Sequence, residues 1–196
     1  MEGGSAPRFI LASSSPRRRD LLRDAGYSFE VVSSRVSEVA DAPLTVRELT
    51  LLNASRKALD VARLHHEALV LGADTLVSLH GFVIGKPANL ADARRILKLL
   101  SGRTHHVCTS FVAVRSGRIF AHSEISAVKF RQLSARDIDD YFKVVDPLDK
   151  AGAYGAQGGG ASIVAHIDGS FSNVVGLPME AVVKTLMKFG VRPARC

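Results

Sequence analysis

The sequence predicts an α/β fold on a mixed β-sheet, and three observations lead there. Short apolar runs bounded by Gly, Pro or Ser alternate with stretches of helical period. A hairpin-like insertion interrupts that alternation, so parallel and antiparallel neighbours share one sheet. No repeat, low-complexity tract or Pro/Ser linker divides the 196 residues, so residues 1–196 form one continuous domain. A hydrophobic fraction of 46% and a mean hydropathy of +0.12 exclude a disordered chain, which could not offset the entropy of ordering.

Each element has a local reason. Phe9–Ala12 reads as a short buried strand that runs into Ser13-Ser14-Ser15-Pro16, with Pro16 suited to the first helical position. The helix carries Leu21, Leu22 and Ala25 toward Gly26, and Phe29–Val32 follows as a second short strand. Thr45-Val-Arg-Glu48 has capping-box spacing and opens a long helix with an apolar stripe at Leu49, Leu52, Ala58 and Val61. Ala68–Leu71 reads as a strand that breaks at Gly72, and Leu76–Ile84 as a hairpin about His80-Gly81. Asn89 to Leu100 is helical, with Gly102 just past its end. Val107–Val114 and Ile119–Phe130 pair across Arg115-Ser-Gly-Arg118, and Ser134–Val145 is a helix that opens with Ser-x-x-Asp. A Gly-rich loop, a strand at Ser162–Ile167, another loop and a last helix from Pro178 complete the chain.

The ionic balance is 26 Lys+Arg against 19 Asp+Glu, a net +7 with a pI near 9.8, which suits a polyanionic partner. With no Trp and 6% aromatic residues, a base-stacking platform is poorly supplied, so a compact anionic ligand fits better than a stable nucleic-acid complex. Two cysteines, Cys108 and Cys196, make no disulfide framework and point to a reducing compartment. The amino-terminal MEGGSAPRF is not a secretory signal, and no run reaches the ~18 apolar residues of a spanning helix. The expectation is a soluble, cytoplasmic protein without membrane contact; a homodimer is left open.

Arg17-Arg18-Arg19 is the sharpest local anomaly, because the first turn of a helix already carries partial positive charge. Three serine hydroxyls at 13–15, free backbone N–H groups and guanidinium forks together make a phosphate cradle. The alternative is that Asp20 and Asp24 neutralise arginines splayed into solvent. Asp74, expected where a strand breaks and its carboxylate emerges, suits a divalent cation or a water held for attack; a turn Asp bonding its own backbone is the competing reading.

Gly85-Lys86-Pro87 offers an ammonium to phosphate but is not a P-loop, since Gly81 and Gly85 are one residue too close and Pro87 replaces Ser/Thr. Gly152–Gly160 lacks dinucleotide-fingerprint spacing and reads as a loop whose backbone approaches a ligand, with Gln157 able to bond a base edge. Adjacent histidines at 65–66 and 105–106 point apart and make no metal site by spacing. No G-x-S-x-G supports a serine hydrolase, and Cys108 reads as core.

In this order the segments resemble the Maf family of nucleoside triphosphate pyrophosphatases, over nearly the whole chain. The marks are Leu11-Ala-Ser-Ser-Ser-Pro-Arg-Arg-Arg-Asp-Leu-Leu22, Gly72-Ala-Asp-Thr75, Gly85-Lys-Pro87, Ser101-Gly-Arg-Thr-His105, Asp149-Lys-Ala-Gly-Ala-Tyr-Gly-Ala-Gln-Gly158 and Gly169-Ser-Phe-Ser-Asn-Val-Val-Gly-Leu-Pro178. The resemblance implies a curved mixed sheet flanked by helices, two lobes with a cleft, similar to inosine triphosphate pyrophosphatases. It implies hydrolysis of a nucleoside triphosphate to monophosphate and pyrophosphate with a divalent cation, Mg²⁺ or Mn²⁺. Carried over by motif, Asp74 is the catalytic acidic residue, acting as base or metal holder, and Glu38 assists at the metal. Ser13, Arg17 and Arg18 hold phosphates, and Lys57 and Lys86 add positive charge around the departing pyrophosphate. A Gln in the late Gly-rich motif resembles the branch that prefers dTTP and UTP, which makes Arg17, Thr75 and Gln157 the selectivity residues. The chain departs from the family pattern at Asp20, Ser37 and Ala156, where Glu, Asp and Ile are usual; Ala156 leaves the base pocket roomier. The competing readings are a non-catalytic regulator that senses nucleotides or binds nucleic acid through the same cleft, and a nucleotidyltransferase, for which no acceptor site is evident.

Overall fold

Seven strands form one mixed sheet in the computed structural model, which describes residues 7–194; Cys196 and the first six residues of the amino-terminal stretch lie outside the described residues. In chain order the elements are β1 (Phe9–Leu11), α1 (Pro16–Asp24), β2 (Glu30–Val31), α2 (Val46–Ala62), β3 (Leu69–Leu79), β4 (Phe82–Ile84) and α3 (Leu90–Leu100). They continue with β5 (Thr104–Arg115), β6 (Arg118–Phe130), α4 (Ala135–Val144), β7 (Val164–Asp168), α5 (Phe171–Val175) and α6 (Met179–Lys188). Strand order is β2-β1-β3-β5-β6-β7, with β4 also on β3; β1 is parallel to both neighbours and the other pairs are antiparallel.

Local chemistry accounts for the element ends. Thr45 and Glu48 form the reciprocal capping box of α2, Ser134 and Asp137 that of α4, and the Asn89 side chain caps α3. Pro16 opens α1, where the missing N–H would have had no helical partner. The β3–β4 hairpin turns through His80 and Gly81 at φ 51° and 85°, a pair of positive values that matches the right-handed twist of its strands.

The structure revises four expectations. The strand around residue 70 does not break at Gly72 but runs unbroken to Leu79. Gly72 is there for α2: a Cβ on it would lie 2.6 Å from both Ala54 O and Ala58 N. In the apolar stripe of α2 Leu52 is exposed, and the buried positions include Leu49, Asn53, Ala58 and Val61. The strand expected at 162–167 begins at Val164, because Ser162 ends a 3₁₀ turn within the Gly-rich segment. Part of the loop before Pro178 is helical, since the Ser170 side chain caps α5.

The two largest apolar clusters of the interior divide β3 and β5 between them. Leu69, Leu71 and Ala73 of β3, with Phe111 and Ala113 of β5, pack with Leu22 of α1 and Leu186 of α6. Val77, Leu79 and Val107 pack instead with Ile96 and Leu100 of α3 and with Tyr141 of α4. Between the two cores β3 and β5 turn polar at Asp74, Thr75, Thr109 and Ser110, and that belt positions the site. Among the described residues no helix is long and apolar enough to cross a membrane.

Candidate active site

A cleft of about 770 Å³ opens over the polar belt, lined by the Ser13–Arg18 turn, the Ser33–Ala40 segment, one face of α2, Asp74 and Thr75 of β3, Lys86 and Asp149. Arg17 and Asp74 therefore share one cavity. Asp74 sits in mid-strand, opposite Ser110 in register and 4% exposed, where an emerging strand-end carboxylate was expected. A carboxylate in such a place needs partners, since burial without them is costly. Lys57 Nζ lies 2.7 Å from Oδ1, and Asn53 Nδ2 donates to Oδ2 at 3.3 Å. Both donors come from α2 one turn apart, which the close approach at Gly72 permits.

Lys57 reaches a second carboxylate, Glu38 Oε1, at 2.5 Å, and Lys86 Nζ lies 4.0 Å from the other oxygen of Glu38. Partial burial alone would raise the Glu38 pKa, but the hydrogen bond and charge of Lys57, with Lys86 and Arg18 behind it, hold it below its ordinary value.

The three arginines separate. Arg18 is buried at 8% exposure and its guanidinium is committed to the protein: Nε donates to Gly176 O at 2.9 Å, one terminal nitrogen to Ser13 Oγ at 3.0 Å and Ala73 O at 2.9 Å, the other to Thr75 Oγ1 at 3.0 Å. Four of its five N–H groups are thereby occupied, and it ties α1 to β3 and to the segment after α5. Burial pulls its pKa down, against the opposing pull of Asp74 and Glu38. Arg17 points along the rim, 3.1 Å from Asp149. Arg19 is not among the residues that line the cleft. Among the described residues neither Asp20 nor Asp24 forms an ion pair with these arginines, so the solvent-splayed alternative does not describe Arg17 or Arg18.

Of the remaining candidates, Thr75 lies between Arg18 and Thr109, 2.9 Å from the Thr109 hydroxyl, and Ser13 lines the cleft on the Arg18 side. Gln157 is exposed on the Gly-rich segment and is not among the cleft-lining residues. His105 and His106 point apart, as adjacent strand residues do; His105 is buried with Nε2 2.7 Å from the Tyr154 hydroxyl. Cys108 is a buried free thiol whose pKa burial pushes up. Among the described residues no cluster of three or more His, Cys, Asp or Glu side chains can hold a metal alone.

Sequence reasoning missed Asn53, Thr109, Asn173, Tyr154 and the pairing of Asp149. Asn53 had a legible signal, a polar residue one helical turn before Lys57. Asn173 did not: it docks α5 by donating to Val107 O at 3.1 Å and Ser126 Oγ at 2.9 Å, contacts that cross tens of residues.

A dTTP/UTP pyrophosphatase of Akkermansia muciniphila is 45% identical over 187 residues, which cover 95% of this chain and 98% of the relative. Enzymes of the same name from Bacillus cytotoxicus and Bacillus cereus are 43% and 41% identical, over 93% and 97% of this chain and 95% and 94% of theirs. The family model described as Maf-like protein matches residues 8–189, so the chain belongs to the Maf family.

Proposed function

We propose that this protein hydrolyses nucleoside triphosphates, dTTP and UTP foremost, to the monophosphate and pyrophosphate. The observation that carries the reading is a carboxylate, Asp74, oriented by two donors at the floor of a cleft whose rim bears Arg17 and Lys86. The kinship with enzymes named dTTP/UTP pyrophosphatase supports the substrate class. Asp74 accepts a hydrogen bond from a water and takes its proton as the water oxygen bonds the α-phosphorus. The bond from that phosphorus to the bridging oxygen breaks, and pyrophosphate leaves with that oxygen. Positive charge at Arg17 and Lys86 favours the departing group, and such positioning and charge neutralisation are the main sources of rate in phosphoryl chemistry.

A divalent cation fits the donor set. Glu38 and Asp74 place two carboxylates around one ammonium, and Mg²⁺ is commonly held by one or two carboxylates with phosphates and water completing its shell. Glu38 and Asp74 would hold it, and it would neutralise charge that builds on the phosphates. Arg17, Thr75 and Gln157 form the selectivity set of this reading, with the exposed Gln157 on a segment that adjoins the cleft through Ala151 and Tyr154. A buried, unpaired Cys108 suits the reducing cytoplasm, where we place the activity.

The test is a panel of nucleoside triphosphates with pyrophosphate and orthophosphate read separately. Pyrophosphate alone, fastest from dTTP and UTP, is the expected product; orthophosphate from the γ position, or no turnover with any triphosphate, overturns the proposal.

A further inference from the structure

Asn53 is an amide in the buried face of a helix, 2% exposed, and each of its polar atoms has a partner. Oδ1 accepts from Val39 N at 2.8 Å, while Nδ2 donates to Val39 O at 3.0 Å and to Asp74 Oδ2 at 3.3 Å. The partners fix which way the amide points, because the flipped form would aim its oxygen at a carbonyl and a carboxylate.

Two consequences meet in this side chain. The first concerns Asp74. Lys57 holds one carboxylate oxygen and Asn53 the other, from successive turns of α2, so the carboxylate plane cannot rotate without breaking one of the two bonds. The second concerns Glu38. Residues 32–40 have no regular secondary structure, and the paired bonds from Asn53 to Val39 act as a one-residue bridge that anchors this segment to α2. Glu38 is the residue before Val39 and reaches Lys57 from that anchored backbone.

We propose that Asn53 is a positioning residue for the hydrolysis: its amide locks the orientation of Asp74 and, through the Val39 backbone, sets Glu38 beside it. It touches no reacting atom and acts through the two carboxylates. The proposal rests on the function assigned above, and its test separates the two. An apolar side chain of equal volume would fill the space but leave both Val39 backbone groups and one Asp74 oxygen without their donor or acceptor, so the position calls for an amide by its hydrogen bonds and not by its volume.

Four proteins decide it: wild type, Asn53→Leu, Asp74→Asn and the double variant. Each is measured for kcat and KM with dTTP and for its thermal midpoint. Asn53→Leu is expected to lose roughly 10- to 100-fold in kcat while KM stays within about threefold, since remote positioning acts on the reacting geometry more than on binding. The shared hydrogen bond makes the midpoints non-additive, so Asn53→Leu lowers the midpoint less in the Asp74→Asn background than in the wild type. If Asn53→Leu keeps kcat within about twofold, or lowers both midpoints equally, the positioning role is refuted. Should Asp74→Asn keep wild-type turnover, the function assigned to Asp74 fails instead. If Asn53→Leu does not fold, Asn53→Ser, with room for a water at Val39, carries the same kcat and midpoint criteria. A readout free of variants at 53 also exists: in ¹⁵N-labelled protein the Asn53 side-chain amide should change position when Asp74 becomes Asn, and an unmoved resonance counts against the proposal.

Discussion

The floor of the cleft and its rim are built on opposite principles. On the floor, Asp74, Asn53 and Arg18 are buried, and their polar groups are bonded to one another, to backbone or to the Lys57, Ser13 and Thr75 side chains. On the rim, Arg17, Lys86, Glu38 and Asp149 keep contact with water and are joined by ion pairs, Arg17 to Asp149 and Lys86 to Glu38. A buried network has one low-energy arrangement, because any broken bond leaves an unpaired polar group in a low dielectric. An exposed ion pair is worth little and exchanges partners readily. The floor therefore holds geometry in place before substrate arrives, and the rim can release its pairs to take up phosphate. Floor substitutions should then cost turnover or stability, and rim substitutions affinity.

The hardest blow to that division is Asp74→Asn. The substitution keeps shape and removes the proton acceptor, so kcat should fall by about 10³-fold or more while KM moves little. A protein that folds and turns over dTTP at the wild-type rate would end the assignment of Asp74.

Next in size is Arg18→Met, which keeps much of the side-chain volume but abandons the Gly176 and Ala73 carbonyls. Losing one side of a buried network costs on the order of 3–4 kcal/mol, because the acceptors are left without donors. Denaturant unfolding should show a midpoint lowered accordingly at unchanged slope. A loss below about 1 kcal/mol, accompanied by weakened substrate binding, would move Arg18 from the floor to the rim.

A third test uses pH. His105 is buried against Tyr154, a cleft residue, and burial lowers its pKa from 6.5 to about 4, with the neighbouring His106 adding to the effect. Between those two values the unfolded chain binds a proton that the folded chain refuses. Stability is therefore whole above pH 6.5, falls as the solution is acidified through the window, and levels off below about pH 4, for a loss of roughly 3 kcal/mol. Unfolding of wild type and His105→Leu at pH 7 and pH 4.5 measures it. The variant should lack this component of the acid sensitivity, and equal pH dependence of the two proteins would contradict it.

How much of this was legible in the sequence follows the same boundary. Caps and turns are local, so the capping boxes at Thr45 and Ser134 and the His80-Gly81 hairpin could be seen directly. Gly72 misled, because a glycine that admits a neighbouring helix reads locally like one that ends a strand. Arg18 was only partly legible for the same reason: beside Arg17 and Arg19 it reads as part of a charged turn, yet beyond nearby Ser13 its acceptors lie 55, 57 and 158 residues away. The Maf motifs brought Arg17, Lys57, Asp74 and Lys86 to one cleft on paper, and the coordinates place them there. They did not show that Arg18 is already bonded within the protein or that Gln157 lies outside the lining.

Smaller effects belong to the rim. Arg17→Ala and Lys86→Ala should each raise KM for dTTP by roughly tenfold and lower kcat by a smaller factor, since these charges hold the phosphates on binding as well as favouring the departing group. Because these charges face water, the wild-type KM should rise with added salt once the screening length drops below about 8 Å, and rise less in either variant. A kcat loss that exceeds the KM change would place Arg17 or Lys86 with the floor.

The smallest expected effect is the most specific to the rim. Asp149 holds Arg17 at 3.1 Å and also pairs with Lys150, so in the free protein the arginine already has an anionic partner that a triphosphate must displace. Burial would raise the Asp149 pKa, but Lys150 and Arg17 outweigh it and hold the value below the ordinary one, so near neutral pH the competition is between two anions for one guanidinium. Asp149→Asn removes the charge and keeps the shape, so KM should fall by about two- to threefold, the scale of an exposed ion pair. The same substitution in the Arg17→Ala background should change KM no further, since the competitor then has nothing to compete for. A higher KM in Asp149→Asn would mean that the pair orients Arg17 for substrate, and the rim would then be as preorganised as the floor.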